Sequence, residues 1–254
     1  MALSVYVDNL TLWGPSCQSL QVLGSLEKVV QLEDPAPFSK VLDRGYIKHD
    51  GGLALHPADF ARQCVKLFEE FSGKPIKHAG TPHVDEGSLS AIDQSDRGQL
   101  SNVAAKLVMK FMWLGRISRP DLMVAINVCA GHITKWTVNN DKRMTRLAGY
   151  VAATLDRCHI MRIHDKPSDL RWSLYADADF GSAPDMKSTS GYLLALEGPQ
   201  SFALILWCSK RQRAFSRPTT EAEFVSLSTS LFTEAFPLLE ICQQLIIPEI
   251  VLNC

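Results

Sequence analysis

The chain of 254 residues has almost no net charge: 26 basic and 27 acidic side chains leave −1 at neutral pH. No global field draws it to nucleic acid or to an anionic membrane, so any polyanion site has to be a local patch. The seven cysteines (Cys17, Cys64, Cys129, Cys158, Cys208, Cys242 and Cys254) are odd in number and contain no CxxC pair. They read as reduced thiols, neither zinc ligands nor a disulfide framework. No run approaches ~18 uninterrupted apolar residues, and the start MALSVYVDNL lacks a basic stretch followed by an apolar one. The expectation is an intracellular protein, cytoplasmic or nuclear, without a membrane partner. A glycine-rich phosphate loop and a Ser/His/Asp arrangement are both missing, so nucleophilic catalysis has no support. The seven histidines form no spaced ligand set.

Hydrophobic periodicity organises what remains, with room for about one or two domains. Leu3, Val5 and Val7 alternate with polar residues, and Leu10 and Leu12 resume after Asp8-Asn9, which predicts two strands about a tight turn. Leu20, Leu23, Leu26, Val29 and Val30 predict a helix over 18–32, with Ser16 or Ser19 as its cap. Tyr46-Ile47 and Leu53-Ala54-Leu55 flank His49-Asp50-Gly51-Gly52, a hairpin pattern, and Phe60, Cys64, Leu67, Phe68 and Phe71 share one helical face. Over 73–99 large apolar side chains almost vanish, which reads as a linker or mobile loop. Three helices are predicted over 100–155: one through Leu107, Phe111 and Leu114 to about Gly115, one opened by Ser118-Arg119-Pro120-Asp121, and one from about Asn140 through Leu147. Their many lysines and arginines fit solvated faces or phosphate contacts. Strands follow over 172–176, 191–196 and 202–208. After Pro218 comes a helix that Pro237 should kink or end, and a last strand lies within 247–254.

Asp177 and Asp179 stand at the end of an apolar run, and Glu223 at the start of a helical pattern. Two divalent ions on a phosphodiester need carboxylates converging from different elements, with the metals ~4 Å apart. Ordinary chemistry accounts for the same residues: the aspartates as turn formers, and Thr220-Glu221-Ala222-Glu223 as a capping box. Lys210, Arg211, Arg213 and Arg217 form the best local polyanion patch, either a charged loop or a contact for the phosphates of an RNA/DNA hybrid. Trp207 and Phe215 beside them fit either packing or stacking.

LYADADFGSAPDMKSTSGYLLAL followed by SKRQRAFSRPTTEAEFVSLS resembles the ribonuclease H domain of copia-type retrotransposon pol polyproteins, with four motifs in matching order and spacing. That resemblance implies a ribonuclease H-like mixed sheet with a packed helix, within an α/β (α+β) chain. It also implies Mg²⁺-dependent (or Mn²⁺-dependent) hydrolysis of RNA in an RNA/DNA hybrid. Asp177 would be the first metal carboxylate and Glu223 the helix carboxylate, with Asp179 and Glu221 as further motif residues. The segment from Val103 through Ser118-Arg119-Pro120-Asp121 to Ala153-Thr154-Leu155-Asp156 is similar to the family's connection region, and Tyr6-Val7-Asp8-Asn9 to the Tyr-Val-Asp-Asp turn of its polymerase palm. The implied division is a partial palm over 1–72, a linker over 73–99, a helical connection over 100–165 and a ribonuclease H-like domain over 166–254. The remainder of the pol polyprotein is the implied partner.

Three departures shape the expected activity. Asn9 stands where the family has a second aspartate, and the other palm aspartate falls upstream of Met1, so no polymerase activity is expected. Phe180 replaces a tryptophan. The next ribonuclease carboxylate falls beyond Cys254, so hydrolysis is expected to be weak or absent, because ligand number sets hard-cation affinity. The alternative is a catalytically dead nucleic-acid-binding or interaction module.

Overall fold

The apolar alternations become the strands of two sheets in the computed structural model, which describes residues 2–254 except 7–8, 37–38, 42–43, 91–92, 94, 182–186, 214–217 and 246–249. β1 (Ala2–Tyr6) and β2 (Asn9–Trp13) pair antiparallel in a two-stranded sheet, with Tyr6 opposite Asn9. Helix α1 (Ser16–Leu26) is shorter than its spacing predicts. Val29 and Val30 beyond it are exposed, so nothing compensates the poor helix propensity of β-branched side chains. Ser19 donates its hydroxyl back to the Pro15 carbonyl (3.1 Å) rather than capping an amide.

β3 (Lys40–Val41), β4 (Arg44–His49) and β5 (Gly52–His56) follow, the last two forming the expected hairpin about Asp50-Gly51. Gly51 has φ +65°, a conformation that disfavours any side chain. α2 (Ala58–Ser72), α3 (Ala104–Ser118), α4 (Met123–Ala130) and α5 (Val138–Ala153) then enclose one core around Phe68, Leu107, Phe111, Ile126, Met144 and Leu147.

Between α3 and α4 sits a buried charge. Arg119 is 1% exposed and sends a two-pronged fork to Asp121 (2.9 and 2.9 Å), while its third nitrogen reaches the Thr154 carbonyl (2.9 Å). Tyr150 donates its hydroxyl to the same carboxylate (2.9 Å). Burial by itself would raise the Asp121 pKa, but Arg119, Tyr150 and Arg157 more than offset it and hold the carboxyl below its usual range.

The segment over 73–99, poor in apolar residues, runs along α5. Ile76 and Ala79 pack on the helical core. The Ala79 amide donates to the Gly149 carbonyl (3.2 Å), Arg146 to the Thr81 hydroxyl (2.7 Å) and Asn139 to the Ser90 carbonyl (2.8 Å). Gly149 allows this approach, since a Cβ there would lie 2.3 Å from the Lys77 carbonyl oxygen.

β6 (His159–Arg162), β7 (Arg171–Asp179), β8 (Thr189–Gly198) and β9 (Ser201–Arg211) lead into α6 (Thr219–Ser230), a π-helical turn (Leu231–Ala235), α7 (Phe236–Leu245) and β10 (Leu252–Asn253). The larger sheet has the order β10-β7-β8-β9-β6-β5-β4-β3; β10 runs parallel to β7 and the other pairings are antiparallel. The molecule is thus mixed α/β with a mixed sheet. Through β5–β6 and β6–β9 this sheet is continuous from the first third of the chain to the last. Leu227, Leu231 and Leu238 pack on Trp172, Leu174, Tyr192 and Leu194 as a second core. Thr219–Gln244 is long and apolar enough to cross a membrane by length and composition, and in this fold its leucines lie on the sheet. Pro237 does not end the helix: the wider π turn just ahead of it shifts the hydrogen-bond ladder where the proline nitrogen has no hydrogen to give.

Candidate functional site

Successive residues of a strand face opposite ways, and paired residues on neighbouring strands share a face. On β7, Trp172, Leu174 and Ala176 face α6 and α7. Asp177 and Asp179 have the other parity and are exposed. Asp177 pairs with Gly191 and through it with Ser209; Asp179 pairs with Thr189 and through it with Arg211. Both aspartates therefore lie within a paired strand, which removes the turn-residue account. The same face is covered further along by the helical core. Trp207 on β9 donates its indole N–H to the Gly115 carbonyl (2.9 Å) and stacks on His159 at 5.2 Å, Asn127 donates to the Ser209 carbonyl, and Arg211 ends beside Gly131. Trp207 is thus a packing residue. Burial lowers the His159 pKa.

Glu223 approaches from the opposite layer. Helix α6 begins at Thr219 with Pro218 as its cap residue and no side-chain cap hydrogen bond, so Glu223 sits in the second turn and is not part of a capping box. Ala222, Ser226 and Ser230, spaced by four and wholly buried, form the stripe that lets α6 lie close on the sheet. Ser226 donates its hydroxyl to the Asp177 carbonyl (2.7 Å), tying the helix to β7 at the candidate aspartate. Residues three apart on a helix are neighbours, their Cβ atoms about 5–6 Å apart, so this bond holds Glu223 within one helical turn of the Asp177 backbone, while the Asp177 carboxylate faces the other side of the sheet. An open cleft of about 500 Å³ results, lined by Glu223, Thr220, Tyr175, Ala176, Leu174 and Cys254 among others. It lies where β10, paired with β7 only at Trp172 and Ser173, leaves the rest of that strand edge uncovered.

Sequence reasoning missed two positioning residues. One is Ser226; the other is Gln212, buried, whose side-chain amide donates to the Ser190 hydroxyl (3.0 Å) and the Ala222 carbonyl (2.9 Å), joining two strands to the helix start. The small-residue spacing on α6 was the available sign of the first; a glutamine within a basic run gave none for the second.

The basic run is divided by the strand. Lys210 and Arg211 belong to β9 and face opposite ways, Lys210 exposed and Arg211 half-buried. Arg213 is exposed just after the strand, and Arg217 lies outside the described residues. Tyr6 and Asn9 pair at the end of β1 and the start of β2, and Asp8 too lies outside the described residues.

No protein-family model and no solved structure matches the chain. Curated relatives do. An uncharacterized mitochondrial protein of Arabidopsis thaliana, AtMg00810, is 27% identical over 230 residues, 90% of each chain. The retrovirus-related Pol polyprotein from transposon TNT 1-94 of Nicotiana tabacum is 24% identical over 231 residues, 88% of this chain and 17% of the polyprotein. That from transposon RE2 of Arabidopsis thaliana is 32% identical over 114 residues, 44% of this chain and 7% of the polyprotein. The homologues of this chain include retrotransposon-related Pol polyproteins beside the mitochondrial protein. The relation agrees with a copia-type pol fragment and suggests the remainder of such a polyprotein as context.

Among the described residues no group of three or more histidines, cysteines, aspartates or glutamates could hold a metal ion. Asp177 and Glu223, with Asp179 on the strand, are carboxylates on neighbouring layers that fall short of such a cage. The donor set does not fit a two-metal centre, and no step through a metal is derived from it.

Proposed function

We propose that this retrotransposon-derived chain carries, over 166–254, a ribonuclease H-like unit that engages an RNA/DNA hybrid and hydrolyses it weakly or not at all. The observation that carries this reading is the Ser226–Asp177 bond, which holds Glu223 of α6 against the strand of Asp177 beside an open cleft. The layout of a three-stranded antiparallel meander, a packed helix and a returning parallel strand supports it. Lys210 and Arg213 are exposed at the end of that meander and are the groups offered to phosphates, with Arg211 between them and Arg217 further along the sequence.

The family resemblance assigns Mg²⁺ or Mn²⁺ to Asp177 and Glu223, a pair that among the described residues forms no cage of three or more ligands. With few anionic ligands a hard cation binds weakly and its water is poorly placed, so the chemistry falls off before the binding does. The test is cleavage of an end-labelled RNA/DNA hybrid by the whole chain in Mg²⁺ and in Mn²⁺. Trace cleavage that Asp177→Asn and Glu223→Gln both abolish, or no cleavage with retained binding, is the expected result. Cleavage that survives both substitutions would move the chemistry elsewhere.

A further inference from the structure

A second cleft, of about 740 Å³, opens between the end of α2, the segment after it and the first turns of α5. Lys74, Lys77, Arg97, Lys142 and Arg146 line it, brought together from three stretches of a chain whose overall charge is only −1. Two carboxylates accompany them, and both are engaged. Asp141 accepts the amides of Gln99 (2.5 Å) and Leu100 (3.1 Å) and the Trp136 indole N–H (2.7 Å), while Asp93 pairs with Lys142 (2.5 Å). Arg97 and Arg146 spend their hydrogen bonds on neutral oxygens, those of Ser101, Asn102 and Thr81, and so keep their charge. Lys74 and Lys77 are exposed.

We propose that this cleft binds the phosphodiester backbone of a nucleic-acid strand, at a place separate from Lys210 and Arg213. Four cations, beside the Lys142 that Asp93 holds, spread along a groove of this size exceed what one phosphate needs and match a repeating polyanion. The inference rests on the nucleic-acid reading given above and adds a second anchor to it. The helical segment would then hold the strand while the sheet presents its carboxylates.

The test uses the whole chain and fluorescence anisotropy of a labelled RNA/DNA hybrid across a salt series. Replacing Lys74, Lys77 and Arg146 together by alanine should weaken binding about tenfold near physiological salt. The slope of log K against log salt should fall by about 2–3, nearly one for each phosphate that the variant leaves unneutralised. A charge-keeping variant (Lys74→Arg, Lys77→Arg, Arg146→Lys) should bind like the parent, and thermal melts report that both variants fold. Unchanged affinity and slope in the alanine variant would overturn the proposal, as would equal weakening in the charge-keeping one. Inorganic phosphate that raises the parent's melting temperature but not the alanine variant's, with hybrid affinity unchanged, would reassign the cleft to a free anion and also overturn it. If the parent binds no hybrid at low salt, both proposals fail. If only Lys210→Ala with Arg213→Ala weakens binding, this one fails alone.

Discussion

Arg119→Met tests the packing account at its most demanding point. The substitution removes four hydrogen bonds, two to Asp121 and two to Thr154, from a side chain that is 1% exposed. Breaking one partner of a buried ion pair costs about 3–5 kcal/mol, since the other charge is stranded. Asp121 keeps the Tyr150 hydroxyl and Arg157 and is 28% exposed, so the loss should lie near the lower end, about 3 kcal/mol. Arg119→Lys keeps the charge but not the fork and should cost roughly half of that. Arg62→Met is the control: its pair with Asp59 is exposed on both sides, so it should cost well under ~1 kcal/mol. Equilibrium urea unfolding, read as the midpoint at unchanged slope, measures all three. If Arg119→Met fell within ~1 kcal/mol of Arg62→Met, the buried fork would not be the clamp between α3, α4 and α5 that its geometry describes.

Two further outcomes follow from the packing. Stability should be flat between about pH 6.5 and 8 and fall in two stages on acidification. His159, its pKa lowered by burial, contributes stability that is present above the ordinary histidine pKa and lost as pH drops through its folded value; Asp121, its pKa held low mainly by Arg119 against burial, adds stability lost only in stronger acid. His159→Phe, which keeps a ring against Trp207, should remove the first stage from urea midpoints measured across pH, and a first stage that persisted would place the titrating group elsewhere. Gly149→Ala drives a methyl group into the Lys77 carbonyl, which is backbone and cannot step aside, and should cost roughly 1–3 kcal/mol and expose 73–99 to limited proteolysis. An unchanged melting temperature and digestion pattern would mean that this segment does not pack on α5.

The parts legible in the sequence are those where local pattern and tertiary demand agree. Phe60, Cys64 and Phe68 mark the buried face of α2 by spacing alone, and Asp50-Gly51 announces its hairpin. The alternation through Trp172 and Leu174 finds β7, but the pairing continues three pairs further than the apolar run, carrying Asp177 and Asp179 into the strand. Lys210 and Arg211 likewise prolong β9, where a charge run reads as a loop because sequence shows polarity and not pairing. β6 was invisible for a different reason: four residues with an exposed Ile160 gain their stability from β5 and β9, which lie far away in the chain. The segment over 73–99 escaped because it is held by backbone and polar bonds to α5, which leave no hydrophobic period. Arg119 reads as a surface charge until its fork is seen. At the candidate site the motifs supplied Asp177 and Glu223, while the groups that set their relation, Ser226 and Gln212, came only from the fold.

The central claim is that the sheet unit beside α6 takes an RNA/DNA hybrid on its basic strand end. Anisotropy of a labelled hybrid against the whole chain, at rising salt, tests it most directly. The account predicts binding that weakens steeply with salt and is reduced by Lys210→Ala with Arg213→Ala while the melting temperature is unchanged. Binding that ignores both salt and those two side chains would contradict it.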